Sequence, residues 1–133
     1  MSAPVLHHVG SVVPKADEMT AMMAAPGLVE DYRDYVTRFQ ALGVFFALGN
    51  GAWPVEFEIP DGGSLLKLNK GMGELHHLAD LIESLDTKAG QLMVQGMKLL
   101  EPEHVQGAAA FLCHCLSPGY TEGLSIEYVQ STG

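Results

Sequence analysis

Two similar runs of apolar residues mixed with histidine and other polar or small residues stand near the start and in the middle of the chain. Residues 5–13 read VLHHVGSVV and residues 75–83 read LHHLADLIE, and we predict that each forms a strand. After each run, apolar positions recur three or four residues apart, which predicts a helix. These positions are Ala16, Met19, Met22 and Met23 after the first run, and Leu85, Ala89, Leu92 and Met93 after the second.

Three further extended segments follow each predicted helix, separated by glycine and proline residues. They span 28–36, 39–49 and 53–60 in the first half, and 97–101, 109–116 and 123–130 in the second. The predicted order is therefore βαβββ, written twice. We expect an α+β fold in a single domain, with module 1 at 1–61, module 2 at 74–133 and a connector between them.

The two halves also share sequence motifs. The run LHHVGSVV at 6–13 recurs as LHHLADLI at 75–82, an offset of 75 − 6 = 69, and VEF at 55–57 recurs as IEY at 126–128, an offset of 126 − 55 = 71. Two unrelated motifs with nearly the same offset indicate a duplicated unit of about 70 residues, longer than the common solenoid repeats.

Composition narrows the classes of partner. The 133 residues include seven Lys and Arg against sixteen Asp and Glu, a formal net charge of −9. This balance argues against nucleic acid and against anionic membrane surfaces, which both require a cationic face. No segment reads as a signal peptide, and none approaches the roughly 18 apolar residues of a spanning helix. We expect a soluble, cytoplasmic protein.

Candidate metal ligands follow from the alternation of side chains along strands. If the apolar face of each strand packs against the helices, the other face carries two histidines and two glutamates: His8, Glu56, His77 and Glu127. Two nitrogen and two oxygen ligands suit a divalent Zn, Co, Ni, Mn or Fe ion.

Each of these residues alone has a simpler interpretation. A single histidine at a strand start is more often a hydrogen-bonding residue, and a single glutamate near a strand end is more often solvated. The recurrence of both types in both halves favours the metal site, as does the cost of burying an unligated carboxylate. The side chains of His7 and His76 lie on the opposite face of their strands from His8 and His77, so we expect them to pack or to support the ligands.

A third polar group lies in the sequence Cys113-His114-Cys115. On a strand the two cysteines share one face and the histidine takes the other. This split argues against a metal site, and buried structural thiols are the favoured interpretation. A disulfide between the two cysteines is geometrically awkward, which agrees with a reducing compartment.

With these motifs the sequence resembles the vicinal oxygen chelate (glyoxalase/bleomycin resistance/dioxygenase) superfamily over nearly its whole length. The resemblance implies two βαβββ modules that form a curled, cup-shaped mixed sheet with helices outside. It also implies the ligands by motif: LHHVGSVV supplies His8, VEFEIP supplies Glu56, LHHLADLI supplies His77 and SIEYVQ supplies Glu127. The connector run GGSLLKLNKGMGELHHLA most resembles the methylmalonyl-CoA epimerase branch.

That resemblance implies an isomerase that removes a proton next to a carbonyl group, on an acyl-CoA or a small carbonyl substrate. The epimerase branch usually carries a catalytic glutamate just before a Gly-Val pair, but residues 40–44 here, QALGV, include no carboxylate. Glu58, on the face of Glu56, and Glu127 are the candidate bases. For Glu58 an ordinary solvated carboxylate at the strand end remains the alternative.

Substrate contacts and assembly are less specified by the sequence. Lys67 and Lys70 in the connector are the available cations for CoA phosphates, with solvated surface lysines as the alternative. A homodimer is common among the proteins that the chain resembles. Two other functions stay open: a glyoxalase I-type lyase, and a non-catalytic protein of the same fold that binds a small molecule or drug.

Overall fold

The computed structural model describes residues 5–15, 29–47, 55–108, 111–121 and 124–131. The strands in these ranges are β1 (Val5–Val12), β2 (Val29–Val36), β3 (Ala41–Ala47), β4 (Val55–Pro60), β5 (Leu75–Leu81), β6 (Val105–Gln106), β7 (Phe111–Cys115) and β8 (Ser125–Ser131). The helices there are α1 (Gly63–Lys67) and α2 (Leu85–Val94). The helix predicted after β1 lies outside the described residues. Within these ranges, neither helix is long and apolar enough to cross a membrane.

The chain divides into two compact units. One unit is His8–His76, and the other combines Met1–His7 with His77–Gly133. In the first unit the strands follow the order β1-β4-β3-β2. The β1–β4 pair is parallel, and the β4–β3 and β3–β2 pairs are antiparallel.

The second unit repeats this arrangement. Its strands follow the order β5-β8-β7-β6, with β5 and β8 parallel and the other two pairs antiparallel. Both units therefore place their first strand beside their last, as a duplicated βαβββ module requires. The predicted α+β, glyoxalase-like fold class is confirmed.

Strand register in the two units is also the same. Gly10 on β1 lies opposite Glu56 on β4, and Ala79 on β5 lies opposite Glu127 on β8. His8 and His77 each precede the small residue by two positions, so each histidine shares a face with the glutamate of the neighbouring strand. The repeated motifs of the sequence therefore occupy equivalent structural positions.

The core of the first unit lies on the opposite face of its sheet. It contains the buried side chains of Val13, Val44, Phe46 and Phe57. The rings of Phe46 and Phe57 pack with centroids 5.1 Å apart. Val44 on β3 lies opposite Phe57 on β4, so the core contains the side chains that the two strands place on this face.

In the second unit the core forms beneath α2. Leu85 and Leu92 of the helix pack with Leu116 and Tyr128. The hydroxyl of Ser84 accepts a hydrogen bond from the Thr87 backbone N–H at 3.2 Å, so Ser84 is the N-cap. Past the helix end, Gly96 has φ +79°, a conformation that favours glycine. The helix predicted after the second run is confirmed.

One strand of the predicted order is wrong. The segment 97–101 makes no strand; its Leu99 forms one isolated bridge with Leu116, and the edge strand is β6 at Val105–Gln106. Pro102 follows this segment, and proline cannot donate to a strand ladder. The connector also holds α1 and a 3-10 turn at Leu68–Gly71.

Candidate metal centre

In the first unit, one histidine and one glutamate meet on the face opposite the core. The Nε2 atom of His8 lies 3.3 Å from the Oε1 atom of Glu56, and the two residues are only 3% and 7% exposed. Parallel pairing of β1 and β4 brings them together. A carboxylate this buried is costly unless it is paired or ligated, so the pair has the properties of metal ligands.

Space for the Glu56 carboxylate depends on a glycine. A Cβ atom at Gly43 on β3 would lie 2.6 Å from Oε2 of Glu56, closer than real Cβ contacts. Any side chain there would therefore displace the carboxylate. Glycine inside a strand is a known sign of close approach by another group, and Gly43 fits this pattern.

Two aromatic side chains flank the same pair. Phe45 on β3 lies opposite Glu56, and its ring meets the His8 ring edge-on with centroids 5.3 Å apart. Tyr32 on β2 stacks on Phe45 at 4.5 Å. Burial, followed by the charge of Glu56, raises the pKa of Tyr32 to about 12, so its phenol stays protonated at neutral pH. The sequence analysis did not identify this aromatic pair.

The second unit holds an equivalent pair. His77 and Glu127 are 2% and 8% exposed, and their nearest ligand atoms lie within 4.8 Å of one another. Cys115 on β7 lies opposite Glu127, at the position that Phe45 holds in the first unit. Cys113 is buried and Cys115 is partly buried, and the two form no disulfide.

Glu58 shares the face of Glu56 two residues along β4. It is 5% exposed, so it is a buried carboxylate and not a solvated one at the strand end. The Nδ1 atom of His76 lies 3.5 Å from its Oε1 atom. From its strand position, His76 is expected to pack or to support the ligands. The sequence pattern does not indicate that Glu58 is the partner of His76. The equivalent of Glu58 in the second unit is Val129.

The two lysines predicted to contact the substrate lie outside these strands. Lys67 ends α1 and Lys70 lies in the following turn, and both are exposed. His7 packs its ring edge against Phe111 with centroids 4.8 Å apart, which agrees with the packing role expected for it.

Both the sequence and the fold are similar to those of known proteins. The family model of the glyoxalase/bleomycin resistance protein/dioxygenase superfamily matches residues 7–113. The chain belongs to this superfamily. Comparison with curated protein sequences gives no match.

Solved structures of the same fold include two epimerases. Methylmalonyl-CoA epimerase from Mycobacterium tuberculosis has a TM-score of 0.86 at 20% identity, covering 96% of this chain and 88% of that one. A Streptomyces coelicolor methylmalonyl-CoA epimerase variant in complex with 2-nitronate-propionyl-CoA has a TM-score of 0.83 at 19% identity, covering 99% of this chain and 100% of that one. A hypothetical protein from Bacillus halodurans C-125 has a TM-score of 0.85 at 17% identity, covering 99% and 97%. At such identities the likeness establishes the fold.

The superfamily implies a divalent metal, and the residues of each unit fit one. Each unit supplies one buried histidine nitrogen and one buried carboxylate, a donor set that suits borderline and hard divalent ions. In the first unit, the missing side chain of Gly43 leaves room for the second oxygen of Glu56.

Proposed function

We propose that the protein is a metal-dependent isomerase of its superfamily, an epimerase that removes and returns a proton next to a carbonyl group. The observation that carries the proposal is the buried His/Glu pair at the same register position in both units. The likeness of the fold to methylmalonyl-CoA epimerases supports it.

In this proposal His8, Glu56, His77 and Glu127 together hold one divalent ion, of Zn, Co, Ni, Mn or Fe. Such an ion supplies a Lewis acid, which stabilises negative charge on a carbonyl oxygen when the neighbouring carbon loses its proton. Histidine nitrogens and carboxylate oxygens are the ligands that these metals accept. The first unit and the second would contribute equally, each with one histidine and one glutamate.

Glu58 is the proposed base. It shares a face with Glu56, it is buried, and His76 lies beside it. A carboxylate held in this position can take a proton from a substrate carbon, and epimerisation then needs a proton donor on the opposite face of that carbon. Glu127 is the second candidate base, because a ligand glutamate can also accept the proton.

For the substrate we propose an acyl-CoA thioester or a small carbonyl compound. The Streptomyces coelicolor epimerase variant holds 2-nitronate-propionyl-CoA, which supports the first class. Lys67 and Lys70 are exposed cations in the connector, and we assign them to the CoA phosphates. We also propose that 1–61 and 74–133 are modules of one domain, and that the protein works as a homodimer in the cytoplasm.

Exchange of the substrate proton tests this function directly. The metal-loaded protein is incubated in deuterated water with methylmalonyl-CoA, and mass spectrometry follows deuterium at the carbon next to the thioester. We expect one deuterium to enter at a rate proportional to protein concentration. Absence of exchange with methylmalonyl-CoA and with a panel of other acyl-CoA thioesters would remove the epimerase assignment. A lyase of the glyoxalase I type would instead convert a hemithioacetal, and a binding protein would retain the ligand unchanged.

A further inference from the structure

A chain of hydrogen bonds crosses the second unit on the side of its sheet that faces α2. Oδ1 of Asp86, in the first turn of α2, lies 2.8 Å from Nε2 of His104. Nδ1 of His104 lies 3.0 Å from Nδ1 of His114 on β7. The backbone N–H of Glu101 donates to Nε2 of His114 at 2.9 Å. These hydrogen bonds therefore join the start of α2, the loop before β6 and strand β7.

The hydrogen bonds determine which ring nitrogens carry protons. Nε2 of His114 accepts from the Glu101 N–H, so the neutral His114 ring carries its proton on Nδ1. That N–H must donate to Nδ1 of His104, which is therefore an acceptor. The proton of His104 then lies on Nε2 and is donated to the Asp86 carboxylate. The two histidines are neutral and hold opposite tautomers.

This assignment excludes a metal between the two rings. A metal there would need unprotonated Nδ1 atoms on both histidines, and Nε2 of each would then have to carry the proton. Nε2 of His114 is an acceptor from a backbone N–H, so it carries none. The arrangement also has no place for a second proton. A proton on Nδ1 of His104 would face the N–H of His114, and one of the bonds to His114 would have to break.

The fold itself does not require polar residues in this place. His114 lies in a cross-strand row with Tyr128 and Asp80, whereas the equivalent row of the first unit contains Val44, Phe57 and Ser11. Val44 and Phe57 belong to an apolar core. The second unit therefore carries a buried, titratable side chain, His114, where the same fold accepts a valine.

We propose that Asp86, His104 and His114 form a proton-sensitive latch, which fastens α2 and the loop before β6 to strand β7 when both rings are neutral. One added proton on the pair of rings breaks one of the bonds to His114. The bond between His104 and the Asp86 carboxylate is kept, so the loop stays with the helix and separates from the strand. The latch lies apart from the proposed metal ligands and does not depend on the proposed function.

Some groups around the latch lower the pKa of His114, and others raise it. Burial, followed by the charge of His104, lowers the pKa of His114 below its ordinary 6.5, and the neighbouring Glu101 opposes this effect. On the adjacent strand, Tyr128 has its hydroxyl protonated, because burial and Asp80 raise its pKa. Lys88 of α2 lies over the Tyr128 ring, 5.0 Å from its centroid.

The lowered pKa of His114 sets the direction of the pH dependence. Below the ordinary value the unfolded chain takes up a proton that the folded chain refuses, so the free energy of unfolding falls as pH falls. The stabilisation is complete above about pH 6.5 and is lost progressively below it.

Two substitutions of His104, which is partly exposed, separate a latch from ordinary packing. In His104→Gln the amide oxygen can accept a hydrogen bond from His114, and the amide NH₂ can donate one to Asp86. The latch is therefore kept, but residue 104 cannot be protonated. His104→Ala removes both hydrogen bonds. His7→Gln is the matched control, because His7 is a histidine of the same unit that packs on Phe111 outside the latch.

The test combines imidazole ¹⁵N NMR at about pH 7.5 with urea unfolding at about pH 7.5 and about pH 5. We expect opposite tautomers for His104 and His114 at the higher pH. From the higher to the lower pH, the unfolding constant of the wild type and of His7→Gln should rise more than that of His104→Gln, because His104→Gln removes the charge that helps to lower the pKa of His114. Identical tautomers, or an equal pH response in His104→Gln and the wild type, would overturn the latch.

Discussion

The two units of this protein build the same ladder of strands but fill its two faces differently. In both, a small residue on the first strand lies opposite a glutamate on the last, and a histidine precedes it by two positions. Two residues beside these pairs differ: Phe45 is replaced by Cys115, and Glu58 by Val129. The comparison indicates that the His/Glu pair follows from register and parity, and that different neighbours accommodate it.

On the face that carries the pairs, the first unit is the more crowded. Glu56 lies beside Phe45, whereas Glu127 lies beside Cys115. Two residues further along, the first unit has the buried carboxylate of Glu58 where the second has Val129. The chemistry that we propose is therefore asymmetric: both units supply ligands, and among the described residues only the first unit adds a buried carboxylate that is not a proposed ligand.

On the helix side the difference is reversed, because the second unit is the more polar there. Burial raises the pKa of Asp80, and the charge of Lys88 opposes this effect. Lys88 also lies over the ring of Tyr128. The first unit has an apolar cluster in the same place. Ion and ring contacts with α2 thus replace part of the hydrophobic packing in the second unit.

The asymmetry at Glu58 gives the largest expected effect. Glu58→Gln should lower turnover about 100- to 10,000-fold, because the amide cannot accept a proton from carbon. Metal content should stay unchanged, since Glu58 is not a proposed ligand. Rates of deuterium exchange and metal analysis of the same sample measure both quantities. Glu83→Gln, at an exposed carboxylate of the second unit, is the control, and full activity in Glu58→Gln would reject Glu58 as the base.

The apolar core of the first unit gives the next effect. Phe46 is fully buried and packs on Phe57, so Phe46→Ala should lower the free energy of unfolding by about 3–5 kcal/mol. Urea unfolding followed by circular dichroism measures the change. Tyr35→Ala, at an exposed ring on β2, should cost much less, and equal losses in the two variants would show that the core has been wrongly placed.

Gly43 gives a smaller effect that concerns the metal. Gly43→Ala should weaken metal binding about 10- to 100-fold, the range found for changes just outside a ligand set, because the new Cβ displaces the Glu56 carboxylate. Calorimetric titration with Zn²⁺ measures the affinity. The matched control is Gly90→Ala on α2, where a Cβ would meet nothing within 4 Å. Equal affinities in the two variants would contradict the role of Gly43.

Sequence reasoning reached the duplicated order of elements and the shared face of each His/Glu pair, because these follow from local periodicity. His8 and Glu56 were expected on one face, and parallel pairing of their strands confirms it. Contacts that depend on the path of a loop were out of reach. Nothing in the alternation of β5 indicates that His76 approaches Glu58, and His104 meets His114 only because the loop before β6 folds against β7.

The edge strand of the second unit shows the same limit. An apolar run at 97–101 predicts a strand, yet Met97 and Leu99 pack into the core beneath α2 and the edge strand forms later, at Val105–Gln106. Hydrophobicity indicates that a segment is buried, but for a short segment it does not decide whether a ladder or a loop buries it. Here tertiary packing buries the segment as a loop beneath α2.

Metal content is the measurement that tests the central claim most directly. The purified protein is stripped with a chelator, reloaded with Zn, Co, Ni, Mn or Fe, freed of excess metal and analysed by inductively coupled plasma mass spectrometry, together with His8→Ala, Glu127→Ala and the control His7→Ala. We expect about one divalent ion per chain in the wild type and in His7→Ala, and a large loss in the other two variants. A wild type that retains none of these metals, or His8→Ala and Glu127→Ala variants that retain as much as the wild type, would contradict the metal centre.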